Sequence, residues 1–349
     1  MKRFFYSLFA LSLSLCIGCI SKGDRSVELA AVTDSIIAEN AKEVAEIIKT
    51  VTGNDIVVKK ELTFQKYTLD DEYYYKKSST DSIKRVFQWN KIKDELAALE
   101  NKQNKRPRWA VLQNYKNLNG ESPLVKEFVR NGYTRVSDTF GVERYQSVAL
   151  FSPGDTIQPE RYGRDGSLVK LLVSEQDTTS DYILVETVSI SGQWMVNKKY
   201  IKEIGDSVQF NHAAFVDITN QNIATMVKTD GEWSVRSMNP ATTGIHKPPY
   251  AHETPVGMFI IQEKKRKMLY LRDGSLTEIG GFAPYASRFT NGAYIHGVPS
   301  VHPNENEIEY SSSLGSVPRS HMCVRNARSH ARFVYENMPT MQSLVFIID

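Results

Sequence analysis

The order of apolar and polar positions changes character twice along the chain. In "LAAVTDSIIAENAKEVAEIIKTVTG", residues 29–53, Ile36, Ile37, Val44, Ile47 and Ile48 recur at three- and four-residue spacing, which predicts a helix with Gly53 as its closing cap. A second helical stretch is "STDSIKRVFQWNKIKDELAALENKQN", residues 79–104. Both read as packing helices with solvated charged faces, so residues 31–137 are expected to be mainly helical. Within them, "RPRWAVLQNY" reads as a strand or short helix, and "NGESP" as a turn. From about residue 140 the pattern becomes β. "RYQSVALFSPGDT", "SLVKLLVSE" and "DYILVETVSISGQWMVNKKYIKEIG" are short Val-, Ile-, Leu- and Tyr-rich runs divided by Gly, Pro and Asp, and they suggest a small β-domain over 138–212. Then "FVDITNQNIATMVKTDGEWSVRSMNPATTG" reads as a three-stranded meander turning at "NQN" and "DGE".

The first residues, "MKRFFYSLFALSLSLCIGCISKGD", have the layout of an export signal. Lys2 and Arg3 precede an uncharged apolar run ending at a small-residue cleavage point, Gly18-Cys19. The run falls short of the roughly 20 apolar residues that a membrane-spanning helix needs. "CIGC" resembles a bacterial lipobox with Cys19 as the lipidated residue, although Cys16 stands where leucine is usual. The competing reading is an uncleaved hydrophobic anchor. On the first reading, residues 1–18 are a signal peptide and 19–30 a lipidated tether. The expected location is the cell envelope, lipid-anchored and facing the periplasm or the extracellular side.

Cysteine and charge narrow the picture further. With Cys16 removed and Cys19 acylated, Cys323 remains as one free thiol and no disulfide framework can form. A chain of this length buries a sufficient core without one. Loss of Lys2 and Arg3 with the leader leaves 41 basic against 40 acidic residues, a balance that gives no footprint for nucleic acid.

Two resemblances follow from particular residues. "SGQWMVNKKYIKEI" resembles the end of a bacterial SH3-like module, with Trp194 ahead of a basic, Tyr-containing closing strand. More specific is the order of the "TTG" that ends the meander, "TPVGMF", "IHG" and "SH-x-C-V-R". Over residues 213–349 this order resembles an L,D-transpeptidase catalytic domain of the YkuD type. The resemblance implies a mostly β catalytic domain, a β-sandwich with short helices. Ahead of it would lie the helical region and an SH3-like β-barrel.

Acyl transfer from an amide needs a strong nucleophile, a nearby base and donors aimed at the developing oxyanion. Cys323 supplies the thiol, which nearby His and Arg charge would activate. His296 is the candidate base, with Gly297 letting the backbone approach and orient the ring through a carbonyl. The backbone N–H groups of Met322 and Cys323 are the candidate oxyanion donors. Ser320 and His321 precede the nucleophile, and by resemblance His321 is an orienting neighbour. Arg325 is a candidate for a substrate carboxylate, against the plainer reading of a surface salt bridge. Tyr285 is a candidate for lining the donor cleft, against that of a packed aromatic. His302 reads as a loop residue or a substrate contact, and His330 as structural. No metal or cofactor is implied, because there is no HExxH and the histidines lack carboxylates at ligand spacing.

Two departures from the family pattern bear on the site. His296 and Ser320 are separated by 23 residues, and the extra "VHPNENEIEYSSSLGSVP" is expected to form a loop over the site. Met322 stands where the family has glycine. If that glycine needs positive φ, methionine costs on the order of 1 to 2 kcal/mol there. The expectation is that the loop has adapted, with residue 322 at negative φ. By resemblance, Cys323 attacks the third residue of a peptidoglycan stem peptide, and an amine of a second stem or of an envelope protein resolves the thioester. The alternatives are transfer to water by the same site, or a non-catalytic wall-binding lipoprotein.

Overall fold

Strands from His212 onward point alternate side chains into two different cores. Ala213 and Phe215 join one core with Leu344 and Phe346, while Ala214 and Val216 join the other with Val345 and Ile347. Successive side chains of a strand face opposite ways, so a sheet buried on both faces reads as a nearly continuous apolar run. In this computed structural model the chain divides into two units, Met1–Thr50 and Val51–Asp349. The structure describes residues 50–76, 81–131, 135–172, 180–206, 208–302 and 308–349. The expected signal peptide, Cys19, the tether and most of the first helix therefore lie outside the described residues.

The doubly buried sheet has six strands. His212–Asp217 pairs in parallel with Ser343–Ile348 and antiparallel with Asn222–Thr229, which pairs with Glu232–Pro240. Gly257–Ile260 forms one edge and Val58–Lys60 the other. Asp230 and Gly231, both at positive φ, make the tight turn that the Asp-Gly pair predicts. A second sheet orders Glu263–Leu271, Ile279–Thr290, Ala293–Gly297 and Val324–Asn326. It packs on the first through Phe289, Ile295 and Val324, and the helix Arg328–Asn337 adds Val334 to the same core. This is the mostly β, two-layer architecture expected from the sequence.

The remaining elements cover the back of this sandwich. The helix Trp89–Gln103 presents Ile92, Leu96 and Leu99 to the core that holds Phe215 and Phe346. Ser82–Val86, read as helical from spacing, is instead a strand paired with Glu72–Lys76. The reason is tertiary. Asn220 Oδ1 accepts from the Val86 N–H at 3.1 Å, Asn222 donates to the Val86 carbonyl at 2.9 Å, and Arg85 donates to the carbonyls of Gly315 and Ser316. Contacts of this kind override weak helix propensity. Gly53, expected to close a helix, opens a short 3-10 turn, Gly53–Asp55.

A five-stranded antiparallel sheet lies in the stretch expected to be SH3-like. Its order is Gln193–Asn197, Tyr182–Thr187, Leu168–Leu171, Arg108–Leu112 and Ile201–Gly205. One strand, Arg108–Leu112, comes from the stretch expected to be helical, and Ala110 and Leu112 fill its core with Val169 and Val185. Among the described residues no helix is long and apolar enough to cross a membrane.

Candidate active site

Strand alternation brings the chemistry to one face. Ala293–Gly297 runs parallel to Val324–Asn326 with Ile295 opposite Val324 and His296 opposite Arg325. Ile295 and Val324 are wholly buried in the sandwich core. His296 and Arg325 therefore share the opposite face, and Cys323, two residues before Arg325, shares it too. All three line a cavity of about 320 Å³, together with Ser320, His321 and Tyr270.

The imidazole of His296 is buried and fixed. Its Nδ1 lies 2.7 Å from the Gly297 carbonyl oxygen, which sets Nδ1–H as the donor and leaves Nε2 as the basic nitrogen. Burial pushes the ring down to about 4, against a smaller upward pull from that carbonyl, with Arg325 lowering it further. The ring is thus neutral and able to accept a proton. Gly297 lets the strand end pass close to Pro284 and Arg328, since a Cβ there would lie 2.8 Å from Pro284 Cγ and 3.1 Å from the Arg328 Cα.

Cys323 is half-buried, and its thiol donates to the Gly292 carbonyl oxygen at 3.6 Å. Desolvation raises the thiol above its ordinary value, while the Tyr294 N–H and the Arg325 charge pull it back. The cavity therefore holds a neutral thiol and a neutral imidazole. Burial also lowers the Arg325 guanidinium, against the opposing pull of Cys323 and Tyr270. Arg325 Nε is buried without a partner among the described residues.

The loop that carries Cys323 is built by Ser320, read from the sequence as a supporting residue, and by Thr243, Gly244 and Thr254, which sequence reasoning did not single out one by one. The Ser320 hydroxyl donates to the Cys323 carbonyl, closing the turn, and the Ser320 N–H donates to the Thr243 carbonyl at 3.0 Å. The Thr254 hydroxyl accepts from the Gly244 N–H at 2.9 Å and donates to the Met322 carbonyl at 2.8 Å. Gly244 must be glycine, because a Cβ would lie 2.7 Å from the Met322 Cα and 2.2 Å from the His252 carbonyl oxygen. The signals were present: Gly244 ends "TTG" and Thr254 opens "TPVG". Tyr270, laid across Gly280 and Gly281 with its hydroxyl donating to Ser300 at 3.1 Å, was also missed.

Met322 departs from the expectation of an adapted loop. Its φ is +108°, so it keeps the conformation that favours glycine and carries the strain. The N–H groups of Met322 and Cys323 have no acceptor among the described residues. His321 is exposed at the rim, its Nε2 3.5 Å from Asp273 Oδ2.

Two candidates stand apart from the cavity. Tyr285 does not line it; at φ +53° its ring turns to Tyr335 at 5.8 Å, with Arg328 and Arg332 over its face. His302 is exposed and is likewise not among the lining residues, although its neighbour Val301 is. Of the described part of the inserted loop, Val301 lines the cavity, while Tyr310, Ser313 and Gly315 lie against other elements. These three dock on Tyr67, Thr242 and Arg85 respectively. His330 is buried under Phe64, bonded to the Ser237 hydroxyl at 2.8 Å.

A thiol, a neutral imidazole, paired backbone donors and a cation around one cavity can carry out nucleophilic acyl transfer. Residues 211–347 match the model of the YkuD family, the L,D-transpeptidase catalytic domain. Solved structures were also compared. An L,D-transpeptidase from Mycobacterium smegmatis is 17% identical, with 52% of this chain and 91% of that chain covered and a TM-score of 0.32. One from Stackebrandtia nassauensis is 21% identical, covering 41% and 60%, with a TM-score of 0.28. A fused Zn-dependent amidase/peptidase/peptidoglycan-binding protein from Clostridium acetobutylicum is 17% identical, covers 39% of this chain and 51% of that chain, and has a TM-score of 0.28. The chain thus spans about half the length of that last protein. A comparison with curated proteins found no match.

Proposed function

We propose that the protein is a peptidoglycan L,D-transpeptidase that works through a thioester on Cys323. Cys323 Sγ attacks the carbonyl of the third stem residue while His296 Nε2 takes the thiol proton. The Met322 and Cys323 N–H groups stabilise the oxyanion. The amide C–N bond then breaks, and His296 returns the proton to the departing amine of the terminal D-amino acid. The amine of a second stem peptide, or of an envelope protein, attacks the thioester, and the sulfur leaves as the thiol. Arg325 holds a substrate carboxylate, which its buried, unpartnered Nε supports.

The observation that carries this reading is the meeting of Cys323, His296 and Arg325 in one cavity of the family-matched domain. Incubation with purified muropeptides tests it. Dimers are expected from the wild-type protein and none from Cys323→Ala. Trimmed monomers alone would assign the site to transfer onto water, and unchanged muropeptides would remove the enzymatic reading. For location, we propose lipid anchoring at Cys19. Cys19→Ala is then expected to leave the membrane fraction or to stop processing, and unchanged fractionation and processing would refute the anchor.

A further inference from the structure

The turn behind the nucleophile is held by a residue that takes no part in the bond changes above. Gly292, whose carbonyl oxygen accepts from the Cys323 thiol at 3.6 Å, lies in the tight turn between Ile279–Thr290 and Ala293–Gly297. Two polar groups of that turn are tied down from outside its sheet, and Arg288 of the preceding strand shares the same anchor. The Asn291 N–H donates to Asp165 Oδ2 at 3.1 Å, and the Thr290 hydroxyl donates to the Asp165 carbonyl oxygen at 2.5 Å. Arg288 Nη1 donates to Asp165 Oδ2 at 2.6 Å and to the Asn291 carbonyl oxygen at 3.3 Å.

Asp165 stands between the strands Arg161–Arg164 and Leu168–Leu171, so it reaches the catalytic sheet from the small β-region. Its side chain is fully buried and also accepts from the Asn114 N–H and from Gln262 Nε2, each at 2.9 Å. A buried carboxylate satisfied on every side has one arrangement open to it, and losing a partner is costly. The next residue, Gly166, lets the two backbones touch. A Cβ there would lie 1.9 Å from the Phe289 carbonyl oxygen.

We infer that Asp165 is a positioning residue for the acyl transfer proposed above: it fixes the Thr290–Asn291–Gly292 turn, and through it the Gly292 carbonyl that holds the Cys323 thiol at the cavity wall. The inference rests on that functional reading for its consequence in turnover. Its consequence for the thiol itself can be read without any substrate.

The test compares full-length wild type with Asp165→Ala, Asp165→Asn and Thr290→Val. One readout is the pH profile of Cys323 alkylation by iodoacetamide; the other is the saturation curve for acylation by a carbapenem. Loosening the turn takes the acceptor from the S–H, while His296, the Arg325 charge and the Tyr294 N–H remain around the sulfur. The alkylation profile is therefore expected to move to lower pH. The limiting acylation rate is expected to fall by about tenfold or more in Asp165→Ala, in line with the sensitivity of such reactions to small misplacements, with half-saturation little changed. Asp165→Asn, which keeps one carbonyl acceptor, and Thr290→Val should fall in between. Should Asp165→Ala not fold, the Asn and Val variants decide. Folded variants with wild-type alkylation profiles and acylation rates would overturn the inference. Alkylation that shifts in a protein no carbapenem acylates would uphold the positioning and count against the transpeptidase reading alone.

Discussion

Met322 shows at the scale of one residue how a site can keep its geometry while losing the side chain that suits it. At φ +108° its backbone is fixed by the Thr254 hydroxyl on its carbonyl and by the close pass of Gly244. Met322→Gly is therefore expected to raise stability by about 1 kcal/mol and to leave Cys323 acylation equal or faster, since the same N–H remains. Thermal melts and single-turnover acylation check this; a lower melting temperature with slower acylation would contradict it. Cys323 and His296 were legible because each carries chemistry and lies at or beside a strand end, where alternation tells which way it faces. Tyr285 was not, because one positive-φ residue within Ile279–Thr290 turns a side chain against the alternation. Thr254 and Gly244 act only through a loop distant in sequence, and no periodicity marks such a contact.

At the scale of elements, the strands that bury both faces were readable and the second helical stretch only in part. Ile83 and Val86 have helical spacing, yet Asn220 and Asn222 claim the Val86 backbone for a strand. The helix Arg328–Asn337 carries a titration consequence. Burial pushes His330 down to about 3 and His296 down to about 4, from an ordinary 6.5. The unfolded chain thus binds these protons first as pH falls. The stability these rings confer is complete above about 6.5 and is lost progressively towards pH 4 and below. His330→Gln, whose amide can still bond Ser237 but takes no proton, should give a shallower fall of melting temperature between pH 6.5 and 4. An unchanged slope would contradict the buried neutral assignment.

At the scale of the whole molecule, the catalytic sandwich is finished by chain that precedes it. Val58–Lys60 completes its six-stranded sheet, Lys66 and Arg85 hold the inserted loop through Glu309, Gly315 and Ser316, and Asp165 stands behind the turn that meets Cys323. None of this was legible locally, since each contact joins residues far apart in sequence and depends on the assembled fold. The family pattern, by contrast, sits in short contiguous motifs and could be read directly. Intact-protein mass spectrometry of the full chain with a stem tetrapeptide donor tests the central claim most directly. The expected result is an adduct on Cys323 whose mass is the donor less its terminal D-residue, discharged when an amine acceptor is added and absent from Cys323→Ala. Cross-linked product formed by Cys323→Ala, or an adduct on any other residue, would contradict the account.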